Sequence, residues 1–172
     1  MKLSLQRVDT QGLVLEIPGA SGQAVTIAST ANLQGTIAIE QDRTTLSGVQ
    51  ADAVVLSSLR VLLGKLVLSG ASGATLTGLG MALERSKDRL GLDTNATSLA
   101  ANELDIEIDD VAIRGRVHLT GVKLVVQGEA GSLSAERVAI EAFSLRLGNV
   151  ELGADAVHGA SVMIGWGATF AL

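Results

Sequence analysis

Leu104-Asp105-Ile106-Glu107-Ile108 alternates aliphatic and acidic residues without a break, and Val122-Lys123-Leu124, Val138-Ala139-Ile140 and Leu145-Arg146-Leu147 repeat the rhythm. A period of two is what a β-strand shows when one of its faces is dry and the other wet. Such runs fill most of the 172 residues, with Gly, Ser, Asp and Asn between them. From residue 97 onward they centre near Ile106, Val117, Leu124, Val138, Leu145, Leu152 and Val162, a spacing of roughly ten residues that belongs to all-β chains. The expected architecture is an elongated, mostly antiparallel sheet of repeated short strands, folded into a groove or a flattened sandwich. Loosely recurring phrases such as Leu66-Val67-Leu68-Ser69-Gly70 and Leu145-Arg146-Leu147-Gly148 keep a β-solenoid as the alternative, although their period is not rigid.

The make-up of the runs narrows what such a sheet can be for. Hydrophobic residues amount to 47% but aromatic ones to only 2%, namely Phe143, Phe170 and Trp166. Compact sandwiches usually fill their cores with several large rings, so a thin, aliphatic interior is expected here. The net charge of −5 argues against nucleic acid as a partner, which needs a basic footprint, and against a polybasic hold on anionic headgroups. With no cysteine in the chain, disulfide scaffolds and thiolate-bound metals are excluded. No apolar stretch is long enough for a membrane-spanning helix, and Met1 to Arg7 already alternates rather than forming the apolar run of a signal peptide. Residues 1–172 read as a single β-rich domain, which can also be a segment of a longer protein.

Along the chain, residues 2–28 read as three strands, carrying Leu3 and Leu5, then Leu13, Leu15 and Ile17, then Val25 and Ile27. The only proline, Pro18, falls in a turn. Ile37 and Ile39 precede a polar turn at Gln41-Asp42-Arg43. Residues 49–70 suit a helix by propensity, but their β-branched content and the following Leu66-Val67-Leu68 favour strands. Residues 81–91 form the most polar window and suit a hairpin tip or one helical turn. At Asp109-Asp110 the apolar positions change from even to odd, which predicts a tight turn or a bulge, with a corner in a continuous winding as the rival. A turn there would set Glu107 opposite Arg114 and Asp105 opposite Arg116, pairs worth roughly 0.2–1 kcal/mol each.

Catalytic and cofactor chemistry finds little to work with. His118 and His158 have no convergent partners beyond Asp155, and read as surface histidines. The acidic residues from Glu103 to Asp110 are spaced as a strand rather than as a calcium loop. Gly70-Ala71-Ser72-Gly73 and Gly78-Leu79-Gly80 lack the helix and downstream acid of a dinucleotide fingerprint. Gly165-Trp166-Gly167 suits a strand end or lid better than a stacking site. No enzyme activity, cofactor or metal is expected.

Two longer phrases, Leu133 to Ile140 and Phe143 to Leu152, together with Leu66 to Gly70, resemble the repetitive strands of AsmA-like and TamB-like bacterial envelope proteins. The resemblance is one of texture and lies mainly over residues 97–164. It implies a β-groove with an aliphatic lining, a periplasmic or cell-envelope location, and phospholipid acyl chains as the ligand. The chain departs from that family in lacking an N-terminal membrane anchor and in being much shorter than a bridge across the periplasm. The lining candidates are Leu104, Ile106, Ile108, Val117, Leu119, Val122, Leu124, Val138, Ile140, Leu145, Leu147, Val150 and Leu152. The same residues would line a closed, dry core, which the residues alone favour slightly over an open groove. A lipid-binding or lipid-transfer module is therefore one expectation. A scaffolding β-repeat that self-associates through its sheet edges is the other, since Val54-Val55-Leu56 and Leu124-Val125-Val126 carry no charged guard.

Overall fold

A computed structural model describes residues 1–16, 24–63, 66–70, 74–86 and 89–167. Nine strands form one antiparallel sheet, and no helix occurs among the described residues. They are β1 (Lys2–Glu16), β2 (Ala24–Glu40), β3 (Arg43–Leu63), β4 (Leu66–Gly70), β5 (Ala74–Ser86), β6 (Arg89–Ile108), β7 (Val111–Gln127), β8 (Ala130–Leu147) and β9 (Val150–Trp166). β4 and β5 lie end to end in one lane, since both pair with β3 on one side and with β6 on the other. The result is a meander of eight lanes in sequence order, with β1 and β9 at opposite edges and no pairing between them. The sheet is open. All-antiparallel pairing removes the solenoid alternative, and the presence of one sheet rather than two removes the sandwich.

Lanes are longer than the ten-residue spacing suggests. β6 to β9 run for 17 to 20 residues each, or about 55–65 Å at the usual rise. Val117 and Leu124 share β7, Val138 and Leu145 share β8, and Leu152 and Val162 share β9. Likewise residues 2–28 contribute β1 and the start of β2 rather than three strands, with Ile17 and Pro18 outside the described residues. Residues 43–63 are one strand, as the β-branched content favours.

The reason for the mistaken division lies in the spacing of the apolar positions. Cross-strand partners share a face, so the pairing register sorts every lane into two faces. On one face lie Leu46, Val49, Ala51, Val54 and Leu56 of β3, paired through β5 and β6 to β7. The same face continues through Leu133, Ala135, Val138, Ile140, Phe143 and Leu145 of β8 to Ile164, Val162, Gly159, Val157, Ala154 and Leu152 of β9. The intervals alternate between two and three residues. A step of three inside a strand inserts one extra residue and keeps the side chains on the same face, which is the action of a β-bulge. Several of these steps carry a residue with positive φ as the second of the two residues skipped: Arg7, Asn32, Gly48, Gly78, Gly121, Ala142 and Ser161. Each parity shift therefore resembles a turn in the sequence while the strand runs on through it.

Four of these residues form a transverse row in alternate lanes: Asn32 in β2, Gly78 in β5, Gly121 in β7 and Ser161 in β9. The lanes between them supply polar side chains to the same row. Asn32 Nδ2 donates to Asp52 Oδ2 at 2.5 Å. A Cβ on Gly78 would meet the Thr97 hydroxyl, and one on Gly121 would lie 2.5 Å from the Glu136 side chain. Gly121 thus combines a left-handed backbone with a close approach, which only glycine meets without strain.

At Asp109-Asp110 the parity shift is a true turn, closed by the Ile108–Val111 pair. Asp109 has φ 51°, and the turns at Gly128-Glu129 and Gly148-Asn149 also open on a positive φ, the pattern of a type II′ hairpin. The polar turn after Glu40 comprises Gln41-Asp42. Ser86 pairs with Arg89 across the polar window, whose tip lies outside the described residues.

Candidate functional site

The apolar face of the sheet is the largest feature the fold creates. Every lining candidate named from the sequence lies on it: Leu104, Ile106 and Ile108 in β6; Val117, Leu119, Val122 and Leu124 in β7; Val138, Ile140, Leu145 and Leu147 in β8; Val150 and Leu152 in β9. The sequence missed its extension across the other half of the sheet. Leu76, Leu79 and Met81 of β5, Val54 and Leu56 of β3, Ile27, Leu33 and Ile37 of β2, and Leu3, Leu5 and Val8 of β1 continue the same surface. The two-and-three spacing is the signal that finds them.

Few polar groups interrupt this surface. Thr10 and Thr30 face each other on it and share a hydroxyl hydrogen bond of 2.8 Å, so the buried Thr30 is satisfied within the face. Among the described residues the only charged side chain placed there by the register is Arg85, near the end of the sheet where β5 turns into β6. Trp166 closes the same end of β8 and β9. It is 3% exposed, and a Cβ on its cross-strand partner Gly131 would strike its ring. This is the strand end expected of Gly165-Trp166-Gly167. Its indole Nε1 is buried without a hydrogen-bond partner.

Exposure across the face is graded. In the middle lanes the side chains cover one another laterally, and Leu66 and Val126 are fully buried. Leu104, Ile106, Val117, Leu119, Val122 and Ile140 are buried, while Ile108, Leu124, Val138 and Leu145 are half-buried. Toward β9 the cover fails, leaving Leu147 44%, Leu152 52% and Val150 56% exposed. Leu147 pairs with Val150, Leu145 with Leu152 and Val111 with Leu147, so these side chains form one contiguous patch. The total surface tells the same story. It is 10391 Å², against about 7,900 Å² for a compact chain of this mass. A single open layer leaves much of its apolar side without a second layer to cover it.

The opposite face is mainly polar, although Leu62 and Met163 are exposed on it, and its charges pair across lanes. Arg114 Nε lies 2.7 Å from Asp105 Oδ1 and its Nη2 lies 4.0 Å from Glu107. The true register sets Asp105 opposite Arg114 and Glu107 opposite Ala112, two residues away from the expected pairing. Arg116 turns instead to β8, where its Nη1 meets Glu141 Oε2 at 2.8 Å. The arginines and Glu141 are largely exposed while Asp105 and Glu107 are partly covered, and exposed pairs of this kind contribute less than about 1 kcal/mol. His118 and His158 are exposed.

Two recesses mark the polar face. The larger, about 550 Å³, is lined by Arg7, Asn32, Gln34, Gln50, Asp52 and Asn95 over Gly78 and Gly80. Its amides bond one another, with Gln34 Nε2 donating to Gln50 Oε1 at 2.6 Å. The smaller includes Asn102, Arg116, His118 and Glu141. Neither brings together a nucleophile and a base, and no group of three or more metal-ligating side chains occurs among the described residues. No protein family, curated protein or solved structure matches this chain.

Proposed function

We propose that this protein binds the acyl chains of phospholipids or fatty acids on the apolar face of its sheet, and acts by binding or passing on lipid rather than by catalysis. One observation carries the reading: aliphatic side chains extend over all eight lanes on one side, and the part reaching β9 is exposed around Leu147, Val150 and Leu152. An exposed contiguous apolar patch marks a site of contact with something apolar. A lining of Leu, Ile, Val and Ala offers no directional group, which suits a ligand made of methylenes. Each methylene taken from water contributes about 0.8 kcal/mol, so a tail is held without a polar key and can shift along the face. The shared texture with AsmA-like and TamB-like envelope proteins points the same way, toward a phospholipid ligand and a periplasmic or envelope setting.

Solvent extraction of the purified protein followed by mass spectrometry tests the proposal, together with titration of the delipidated protein by palmitic acid. The reading expects co-purified lipid and saturable palmitate binding. It also expects binding to weaken in Leu152→Asp, which sets a carboxylate among the exposed methyl groups without entering the buried centre. A lipid-free protein that binds no palmitate would overturn it.

A further inference from the structure

We infer that copies of this chain join head to tail, with the β9 edge of one pairing antiparallel to the β1 edge of the next, so that successive apolar faces form one surface. The inference does not depend on what that surface binds. Three observations lead to it. First, eight lanes in a meander leave β1 and β9 running in opposite directions at the two edges. A second copy placed beside the first in the same orientation therefore meets it as an antiparallel neighbour, with its apolar side on the same face. An odd number of lanes would have brought the edges together parallel.

Second, the two edges share their spacing. On β1 the apolar-face positions run Leu3, Leu5, Val8, Thr10, and on β9, read backwards, Ile164, Val162, Gly159, Val157. Both sequences step by two, three and two. Laid antiparallel, Leu3 falls opposite Ile164, Leu5 opposite Val162, Val8 opposite Gly159 and Thr10 opposite Val157. The steps of three then coincide, so the bulge containing Arg7 meets the bulge containing Ser161. A strand with strict period two could not hold this register for more than half of its length, because one extra residue sends every later side chain to the other face.

Third, chemistry on the polar face selects the pairing of unlike edges. The register sets the Asp9 carboxylate opposite the His158 imidazole, an acceptor facing a group that can donate. Pairing of β1 with another β1 about its centre would set Asp9 against Asp9, with like charges directly opposed. Two of the usual guards of an exposed edge are missing from β9, whose 17 residues contain no proline and no lysine; its charges are Glu151 and Asp155, and its bulge at Ser161 is matched by the one at Arg7. A heterologous contact of this kind has no two-fold axis and gives rows or rings of copies rather than a dimer.

The chain contains no cysteine, so introduced thiols report the register directly. Directly opposed strand residues lie about 4.5–5.5 Å apart, within reach of a disulfide. Asp9→Cys protein is mixed with His158→Cys protein under mild oxidation, and Ser4→Cys with Met163→Cys in parallel. The second pair covers the loss of the hydrogen bond that Asp9 accepts from the Asn32 amide. The expected result is a covalent dimer in both mixtures and none in either protein alone, with wild-type protein sedimenting as growing oligomers as concentration rises. His158→Cys alone forming the dimer would show two-fold β9 pairing, and Asp9→Cys alone two-fold β1 pairing. Equal linkage in an out-of-register mixture of Asp9→Cys with Met163→Cys would show unspecific collision. Each of these, or a folded protein that stays monomeric and unlinked, overturns the inference.

Discussion

Replacing Ala142 by glycine should stabilise this protein, although glycine inside a strand ordinarily weakens it. Ala142 is exposed in the middle of β8 and holds φ 50°. An L-residue in the left-handed region costs about 1–2 kcal/mol, and that cost disappears with the side chain. Glycine gives back about 0.5–1 kcal/mol through its larger freedom in the unfolded chain. The difference is a gain of about 0.5–1 kcal/mol, and no packing opposes it because the methyl group faces solvent. Ala139 of the same strand, which does not have a positive φ, provides the control, and Ala139→Gly should cost about 0.5–1 kcal/mol. Equilibrium urea unfolding followed by circular dichroism measures both, with an unchanged m-value showing that the folded and unfolded states expose the same surface. Ser161→Gly should follow Ala142→Gly, since Ser161 holds φ 54° in β9. If Ala142→Gly instead destabilises as much as Ala139→Gly, the bulges that keep the long strands facing one way are not where the fold places them.

Further outcomes follow from the grading of the apolar face and from its closed end. Leu66→Ala should cost about 2–5 kcal/mol in the same unfolding assay, because Leu66 is fully buried. Val150→Ala, at an exposed edge position, should stay within about 0.5 kcal/mol while weakening palmitate binding. Gly131→Ala puts a Cβ into the Trp166 ring and 2.6 Å from the Val125 carbonyl oxygen. It should cost about 1–3 kcal/mol and shift the emission of the single tryptophan to the red. Arg116→Ala removes an exposed ion pair to Glu141 and should change stability by less than about 1 kcal/mol, with the difference shrinking in high salt.

Much of this fold could be read from Leu104 to Ile108 and the runs that echo it, because period two has no other regular-structure reading. The strand character of β6 to β9 and the shared face of the lining candidates came from that pattern, whereas β-branched content decided residues 49–63, and the polar window 81–91 hid the end of β5 and the start of β6. What failed was continuity. Between Leu119 and Val122, or Ile140 and Phe143, a step of three can mean either a bulge or the end of a strand, and only the partner lane decides. The pairing of Arg114 was displaced by two residues for a related reason: the hairpin closes tightly at Ile108 and Val111, so Asp105 rather than Glu107 becomes its direct partner. The openness of the sheet was not legible either. A residue such as Val138 is equally at home under a second layer or beside a lipid, and its sequence neighbours are the same in both.

The central claim is that one face of this sheet meets acyl chains and the other does not. Site-specific photocrosslinking tests it, with a benzophenone amino acid placed in turn at Leu147, Val150 and Leu152 on the apolar face and at Arg146, Glu151 and His158 on the polar face. The protein is incubated with dispersed phosphatidylcholine and irradiated, and lipid adducts are counted by mass spectrometry of the intact chain. Adducts at the first three positions and background levels at the other three are the predicted result. Equal labelling of both faces, or none on the apolar face, would contradict the account.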